Sequence, residues 1–293
     1  MEKTRAETLA ELEGLRQIPA LQSLAKGFVQ AANRADVSVD VVIDAISKDP
    51  ALCVRVLRMA NSAMVSPAER IEDLGQAVQM LGVLRVRTME QALFTLRDAR
   101  SVVGGLDWRH IWIHSFATAA LVDEIDRSLG TGLGEQIYLA ALLHDVGKMV
   151  LATIAPDAYR QVLVSAWNDQ GSLEDLERRV LGVDHREAGG IFARQNQLPP
   201  CVIAAVCHHN DPAFAESFRL ETALVAVSNF ISKSHGLGFS GARLNPGDDV
   251  EGLPAWAVME ERLGRPIQAA ALLEQLSPFI GELRIDLKGL HAA

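Results

Sequence analysis

Residues 142–148 read LLHDVGK, and this stretch decides the fold because it sets a histidine–aspartate pair inside an otherwise apolar helical pattern. Consecutive side chains on a helix diverge by about 100°, so His144 and Asp145 could both ligate one metal ion lying between them. Imidazole and carboxylate together suit Zn, Mn, Fe or Ni. Lys148 lies four residues after His144, shares its face and could hold an anionic substrate oxygen. The alternative interpretation is a helix end with a capped, exposed His-Asp pair.

Helical patterns surround this stretch on both sides. Apolar residues recur at helical spacing, and alternating strand patterns are nearly absent. We therefore predict an all-α fold of two helical lobes, with one helix over 18–33 and one over 135–154. Gly104 and Gly105 mark the boundary between the lobes. The predicted division is an N-terminal bundle, a lobe with the candidate metal pocket, and a linker with short terminal helices: residues 1–104, 105–236 and 237–293.

Composition excludes several classes of protein. The 293 residues carry a net charge of -9, and phosphate binding needs a basic surface, so no nucleic-acid partner is expected. The N-terminus lacks the apolar core of a signal peptide, and no stretch reaches about 18 uninterrupted apolar residues. We therefore expect a cytoplasmic chain without a membrane span. Three cysteines without a CxxC pair argue against a disulfide framework or a thiolate zinc site.

Further polar residues interrupt the neighbouring apolar helices. His114 alone would more often be a satisfied core histidine than a ligand. His185 falls in the first turn of a predicted helix, at the mouth of a pocket. His208 and His209 close another helix, where they are either metal ligands or favourable partners of the helix dipole. Asn229 lies mid-helix, where a buried amide needs a specific partner such as a metal, a ligand histidine or a backbone group.

These residues together resemble the HD superfamily of helical metal-dependent phosphohydrolases, whose signature is an early His, a His-Asp doublet and a late Asp. His114, His144 and Asp145 match the first three, and Asn229 stands where the late Asp would be. The order and context are also similar to the HD-GYP branch over a wider set: His114, His144, Asp145, Lys148, His185, His208 and His209.

The N-terminal half resembles the HDOD family more sharply, the HD-related output domains of bacterial signalling. The resemblance covers roughly residues 15–240 and rests on IPAL at 18–21, DPAL at 49–52 and RMANS at 58–62. It implies a C-terminal lobe like an HD domain. It also implies a regulatory module, because no common enzymatic activity is established for HDOD domains.

Two functions remain open at this point. The first is a signalling module that acts through protein contacts, with a kinase, a diguanylate cyclase or a transcription regulator as the implied partner. The second is a metal-dependent phosphohydrolase, with a cyclic dinucleotide as a candidate substrate and Lys148 as a catalytic group.

Charge favours the regulatory module. Two divalent ions need carboxylates to bridge and neutralise them, and Asp145 is the only anionic ligand at the matched positions, since Asn229 is neutral. The residues after His209 also lack the glycine-rich tyrosine motif of the HD-GYP branch. We therefore expect no robust hydrolysis of cyclic dinucleotides or nucleotides, and at most one divalent ion, Zn, Mn, Fe or Ni. The candidate ligands are His114, His144, Asp145, His185, His208, His209 and Asn229.

Overall fold

The computed structural model describes most of the chain, and the statements below refer to the described residues: 3–14, 26, 29, 38–48, 50–61, 71–98, 109–168, 172–241, 244 and 249–291. The lobe boundary predicted at Gly104 and Gly105 lies outside them. The helix predicted over 18–33 also lies outside them, except for two of its residues.

Helices form the described part of the chain, and no β-strand occurs in those ranges, which confirms the predicted all-α fold class. The first five helices are α1 Arg5–Glu13, α2 Val39–Ser47, α3 Pro50–Ala60, α4 Leu74–Leu81 and α5 Val83–Asp98. The next five are α6 Arg109–Leu129, α7 Gln136–Leu143, α8 Val146–Ile154, α9 Pro156–Trp167 and α10 Leu173–Leu181. The last five are α11 His185–Gln195, α12 Pro200–His208, α13 Arg219–Ser234, α14 Pro254–Leu263 and α15 Ala269–His291.

Two groups of helices make up the core. Helices α2 to α5 pack on one another, whereas α6 is the centre of the second group and packs against α7, α13 and α15. Arg85 of α5 joins the groups, because its Nη2 donates to Oδ1 of the buried Asp123 on α6 at 2.9 Å. Helix α6 is buried from Ile111 to Asp126, so it can carry a polar residue such as His114 only if that residue finds partners inside.

The N-terminal helix packs on the second group, against α8 and α11. Arg5 Nη2 contacts Glu187 Oε1 at 2.5 Å, and Thr8 Oγ1 donates to the Leu181 carbonyl at 2.7 Å. Helix α1 therefore lies beside the start of α11, the helix that carries His185.

The helix predicted over 135–154 is not continuous, and that prediction is wrong in its centre. Helix α7 ends at Leu143 and α8 begins at Val146, so His144 and Asp145 form a turn between them. The window Gln136–Ile154 is apolar and long enough to cross a membrane, but 83% of it is buried inside the fold. Here the window forms part of the core.

Candidate metal centre

The histidine–aspartate pair lies in the break between α7 and α8. Asp145 has φ -98° and ψ 10°, outside the helical region. The Nδ1 atom of His144 lies 2.6 Å from the Ala141 carbonyl oxygen, which a continuous helix would offer to the amide of residue 145. The break thus gives this carbonyl a side-chain partner and turns both functional side chains into the core, where His144 is 0% and Asp145 1% exposed.

The two carboxylate oxygens of Asp145 have different surroundings. Oδ2 accepts a hydrogen bond from the Lys148 ammonium at 2.7 Å. Oδ1 is buried without a hydrogen-bond partner among the described residues. The Nε2 atoms of His185 and His209 lie 3.7 and 3.6 Å from Oδ1, so two imidazoles converge on the unpaired oxygen.

Three imidazoles of the site are held through Nδ1 by oxygens that can only accept hydrogen bonds. The contacts are His144 to the Ala141 carbonyl at 2.6 Å, His185 to the Glu177 carboxylate at 2.7 Å and His209 to the Ala205 carbonyl at 3.1 Å. Each Nδ1 must therefore carry the proton, and in the neutral ring each Nε2 keeps a free lone pair. Metal-ligating histidines are commonly oriented in this way.

Glu177 is a supporting residue that the sequence predictions missed. Its Oε2 accepts from Nδ1 and from the backbone N–H of His185, at 2.7 and 2.8 Å, and its Oε1 accepts from the Tyr159 hydroxyl at 3.0 Å. The carboxylate is 0% exposed. A signal was present: Glu177 stands four residues from both Leu173 and Leu181, so it interrupts the apolar stripe of α10 with a charge.

A divalent ion fits these donors. Ligand bonds of about 2.0–2.1 Å in a tetrahedral site separate neighbouring ligand atoms by about 3.3 Å. His144 Nε2 lies 3.3 Å from Asp145 Oδ2, and the two contacts of Asp145 Oδ1 measure 3.6 and 3.7 Å. The Nε2 atoms of His144 and His185 are buried without partners in the described chain, as is Asp145 Oδ1. Orphaned lone pairs on three neighbouring buried side chains are what a cation would satisfy.

His114 and Asn229 occupy the second half of the site and are bonded to each other. His114 Nε2 lies 2.9 Å from Asn229 Oδ1, and His114 Nδ1 lies 3.2 Å from the Ser232 hydroxyl. The ligand-type atoms of His114, His144 and Asp145 lie within 4.8 Å of one another, so the geometry for a second ion is present. However, the His114 nitrogen that faces Asn229 Oδ1 must donate its proton, which leaves it no lone pair for a metal.

Protonation states favour cation binding at neutral pH. Burial lowers the pKa of His114 to about 3 and lowers the pKa of His209 well below its ordinary value, with His144 adding to both shifts. Burial alone would raise the pKa of Asp145, but His144 and Lys148 together hold it well below its usual range. The carboxylate is therefore anionic, and both of these imidazoles are neutral, as metal ligation requires.

Six of the predicted site residues come together in one buried cluster, hereafter the histidine cluster: His114, His144, Asp145, His185, His209 and Asn229. Lys148 touches it through Asp145 and also donates to the Ser240 carbonyl at 2.8 Å. His208 is half-buried, and none of the described contacts brings it to the cluster. Neighbouring residues at a helix end diverge by about 100°, so only one of the two adjacent histidines faces inward.

Comparison with known proteins gives one family match. The model of the HDOD domain family matches residues 18–212, about two thirds of the chain. An uncharacterized protein of Treponema pallidum (strain Nichols) is 26% identical over 219 residues. This alignment covers 72% of the present chain but 41% of the relative, so the chain spans less than half of that protein's length.

Two solved structures share the fold along nearly the whole chain. An HDOD domain protein of unknown function from Geobacter sulfurreducens is 25% identical with a TM-score of 0.71, covering 92% of this chain and 91% of that one. A protein from Shewanella amazonensis SB2B, provisionally assigned as a phosphohydrolase, is 25% identical with a TM-score of 0.65, covering 98% of both chains.

Proposed function

This chain belongs to the HDOD family, and on that premise we propose that it is a regulatory module of bacterial signal transduction that acts through protein contacts in the cytoplasm. Its histidine cluster holds one divalent ion, and the ion stabilises the conformation of the helices that supply its ligands. The partner is a signalling protein, such as a kinase, a cyclase or a transcription regulator.

The state of Asp145 carries this proposal. It is the only carboxylate in the histidine cluster, and its Oδ2 is engaged by the Lys148 ammonium at 2.7 Å. Oδ1 is the oxygen of Asp145 that has no partner among the described residues, so we expect Asp145 to serve one dication rather than to bridge two. The neutral amide of Asn229 adds no charge at the second position. Two ions would leave several positive charges uncompensated in a buried site, which is strongly unfavourable.

Burial of the histidine cluster also favours regulation over turnover. None of the four imidazoles of the histidine cluster is more than 1% exposed. A phosphoester would need the lobe to open before it reached them. A bound ion would cross-link α11, the end of α12 and the turn between α7 and α8, because each of these segments carries a ligand. The protein's own residues orient the ligands: Glu177 fixes His185, and backbone carbonyls fix His144 and His209.

Metal-dependent phosphohydrolysis is the second candidate. It is supported by the Nε2 atoms of His144, His185 and His209, which lie 3.3, 3.7 and 3.6 Å from oxygens of Asp145, and by the likeness to the Shewanella protein. In that case a single bound ion would activate water, and Lys148 would hold an anionic substrate oxygen through its remaining N–H.

A hydrolysis assay separates the two functions. The full chain, supplied with Mn, Fe, Mg or Ni, is incubated with cyclic dinucleotides and with nucleotides. The matched control is the double variant His144→Ala, Asp145→Ala, checked for helical content by circular dichroism. We expect equal, background rates for both proteins. Turnover of the wild type well above the variant would establish the hydrolase instead.

A further inference from the structure

We propose that residues 238–241, hereafter the strap, form a lid over the histidine cluster, and that a contact between the rings of Phe239 and Trp167 holds this lid shut from outside. Ions and other small molecules reach the cluster when the strap lifts. As the route of a divalent ion the lid rests on the proposed function, whereas as a cover over the buried imidazoles it does not depend on that function.

The inner side of the strap contacts the site at two points. The Ser240 carbonyl accepts a hydrogen bond from the Lys148 ammonium at 2.8 Å, and the same ammonium donates to Asp145 Oδ2 at 2.7 Å. At the second point Gly238 lies on the backbone of His114, where an added Cβ atom would come within 2.4 Å of the His114 nitrogen. The strap is therefore in direct contact with His114 and one side chain away from Asp145.

The strap begins at Gly238 and ends at Gly241, whose φ angles are 77° and 87°. Small residues at the ends of a segment are suited to absorb the changes in φ and ψ of a hinge. The strap is not helical and carries none of the candidate metal ligands, so it can lift without moving them. The hydrogen bonds that break are the one accepted by the Ser240 carbonyl and the one that the Phe239 amide donates to the His110 carbonyl at 3.2 Å. Opening therefore leaves the packing of the helices intact.

The outer side of the strap is held by an aromatic pair. The ring of Phe239 meets the ring of Trp167, at the end of α9, edge to face, with centroids 5.4 Å apart and an angle of 74° between the planes. Trp167 is 54% exposed, so this contact lies at the surface. A single aromatic pair contributes a moderate attraction, which keeps the strap closed in most molecules and still permits local opening.

Acylation by diethyl pyrocarbonate, a reagent for neutral imidazoles, measures how often the strap opens in the metal-free full chain. Tandem mass spectrometry follows His144, whose Nε2 has no partner among the described residues, with the half-buried His208 as the reference in the same sample. We expect Phe239→Ala to accelerate the acylation of His144 by about 3- to 10-fold, the scale of one aromatic contact, and to leave His208 unchanged. Phe214→Ala is the matched control, because that ring is 76% exposed and lies outside the strap.

A double-mutant cycle with Trp167→Ala tests the aromatic contact itself. In the Trp167→Ala background, Phe239→Ala should add less than about twofold to the acylation rate, because the partner ring is already gone. Two effects that multiply in full would overturn the proposal, as would a His144 that reacts equally fast in the wild type and in Phe239→Ala. Denaturant unfolding checks that each variant is folded, and Phe239→Leu, which keeps an apolar side chain without the ring, takes the place of Phe239→Ala if alanine weakens the fold.

Release of Mn from the loaded chain separates this proposal from the proposed function. In excess EDTA, Phe239→Ala should release Mn faster by the same factor as it accelerates acylation. Its Mn affinity should stay within about twofold of that of the wild type, since one opening serves both entry and exit. Equal release rates in the two proteins would overturn the strap as the route of the ion. If the wild type takes up no Mn, the single-ion function fails, and the acylation rates decide the lid without any metal.

Discussion

Glu177 fixes the orientation of the His185 side chain within the histidine cluster. One carboxylate oxygen accepts both the ring Nδ1–H and the backbone N–H of His185, so ring and helix start are fixed by the same group. Tyr159 holds the other oxygen at 3.0 Å. Partners of this kind fix the tautomer and raise the basicity of the ligand nitrogen. Metal affinity should therefore depend on a residue that does not touch the metal.

Glu177→Gln is expected to lower Mn or Zn affinity by about 10- to 100-fold, because the amide lacks the charge that polarises His185. Tyr159→Phe, which removes only the hydroxyl behind Glu177, should lower it less. Calorimetric metal titration measures both effects, and thermal melting of the metal-free proteins controls for folding. Unchanged affinity in Glu177→Gln would show that His185 is not a ligand.

At the scale of single residues, the sequence identifies the candidate metal ligands better than it identifies the residues that hold those ligands in place. His144, Asp145 and His209 are polar groups within apolar stretches of the sequence, and this contrast makes them visible without a structure. Glu177 comes from α10 and meets the site only through tertiary packing against the start of α11. The sequence left the partner of the Asn229 amide open between a metal, a ligand histidine and a backbone group, and the structure shows the histidine, His114.

The crossing of α8 and α11 positions the site at the scale of elements. A Cβ atom on Gly147 would lie 1.7 Å from the His185 carbonyl oxygen and 2.8 Å from the Gly189 backbone nitrogen. Backbone meets backbone there, so neither side can yield as a flexible side chain would. The glycine permits this close approach, which brings the start of α11 to Asp145.

Gly147→Ala should force α8 and α11 apart, destabilise the fold by about 1–3 kcal/mol or more, and weaken metal binding with it. Gly281→Ala is the matched control. Gly281 lies in α15, with no atom within 4 Å of an added Cβ, so alanine there should be neutral or stabilise by up to about 1 kcal/mol. Denaturant unfolding and Mn titration measure both. A Gly147→Ala variant as stable as Gly281→Ala would contradict the close crossing.

Helix ends were more predictable than the break between α7 and α8. Asp184 caps α11 by accepting from the Glu187 amide at 2.9 Å, as its position in the sequence indicates. The break carries no such local signal, because apolar helix formers continue on both sides of it. It depends on the interaction of His144 with a carbonyl and of Asp145 with Lys148, both made inside the folded lobe.

At the scale of the whole molecule, buried neutral imidazoles link folding to acid. His114 has a folded pKa of about 3, and His209 is also lowered, whereas in the unfolded chain both titrate near 6.5. Below about pH 6.5 the unfolded chain therefore binds protons that the folded chain does not. The free energy of unfolding should fall as pH drops, by about 1.4 kcal/mol per pH unit for each such group.

Denaturant unfolding of the metal-free chain at pH 7, 6 and 5 measures this slope. His114→Gln should reduce the slope of the free energy of unfolding against pH by the contribution of one titrating group, because glutamine does not titrate. A slope that is the same in both proteins would mean that His114 is protonated in the folded state.

The most direct test of the account is the number of metal ions that one chain holds. The full chain is reconstituted with excess Mn, desalted, and its metal content measured by inductively coupled plasma mass spectrometry, beside Asp145→Ala. We predict one ion per wild-type chain and none in the variant, because Asp145 supplies one free oxygen to a single set of imidazoles. Two ions per chain, or none in the wild type, would contradict the single-ion site.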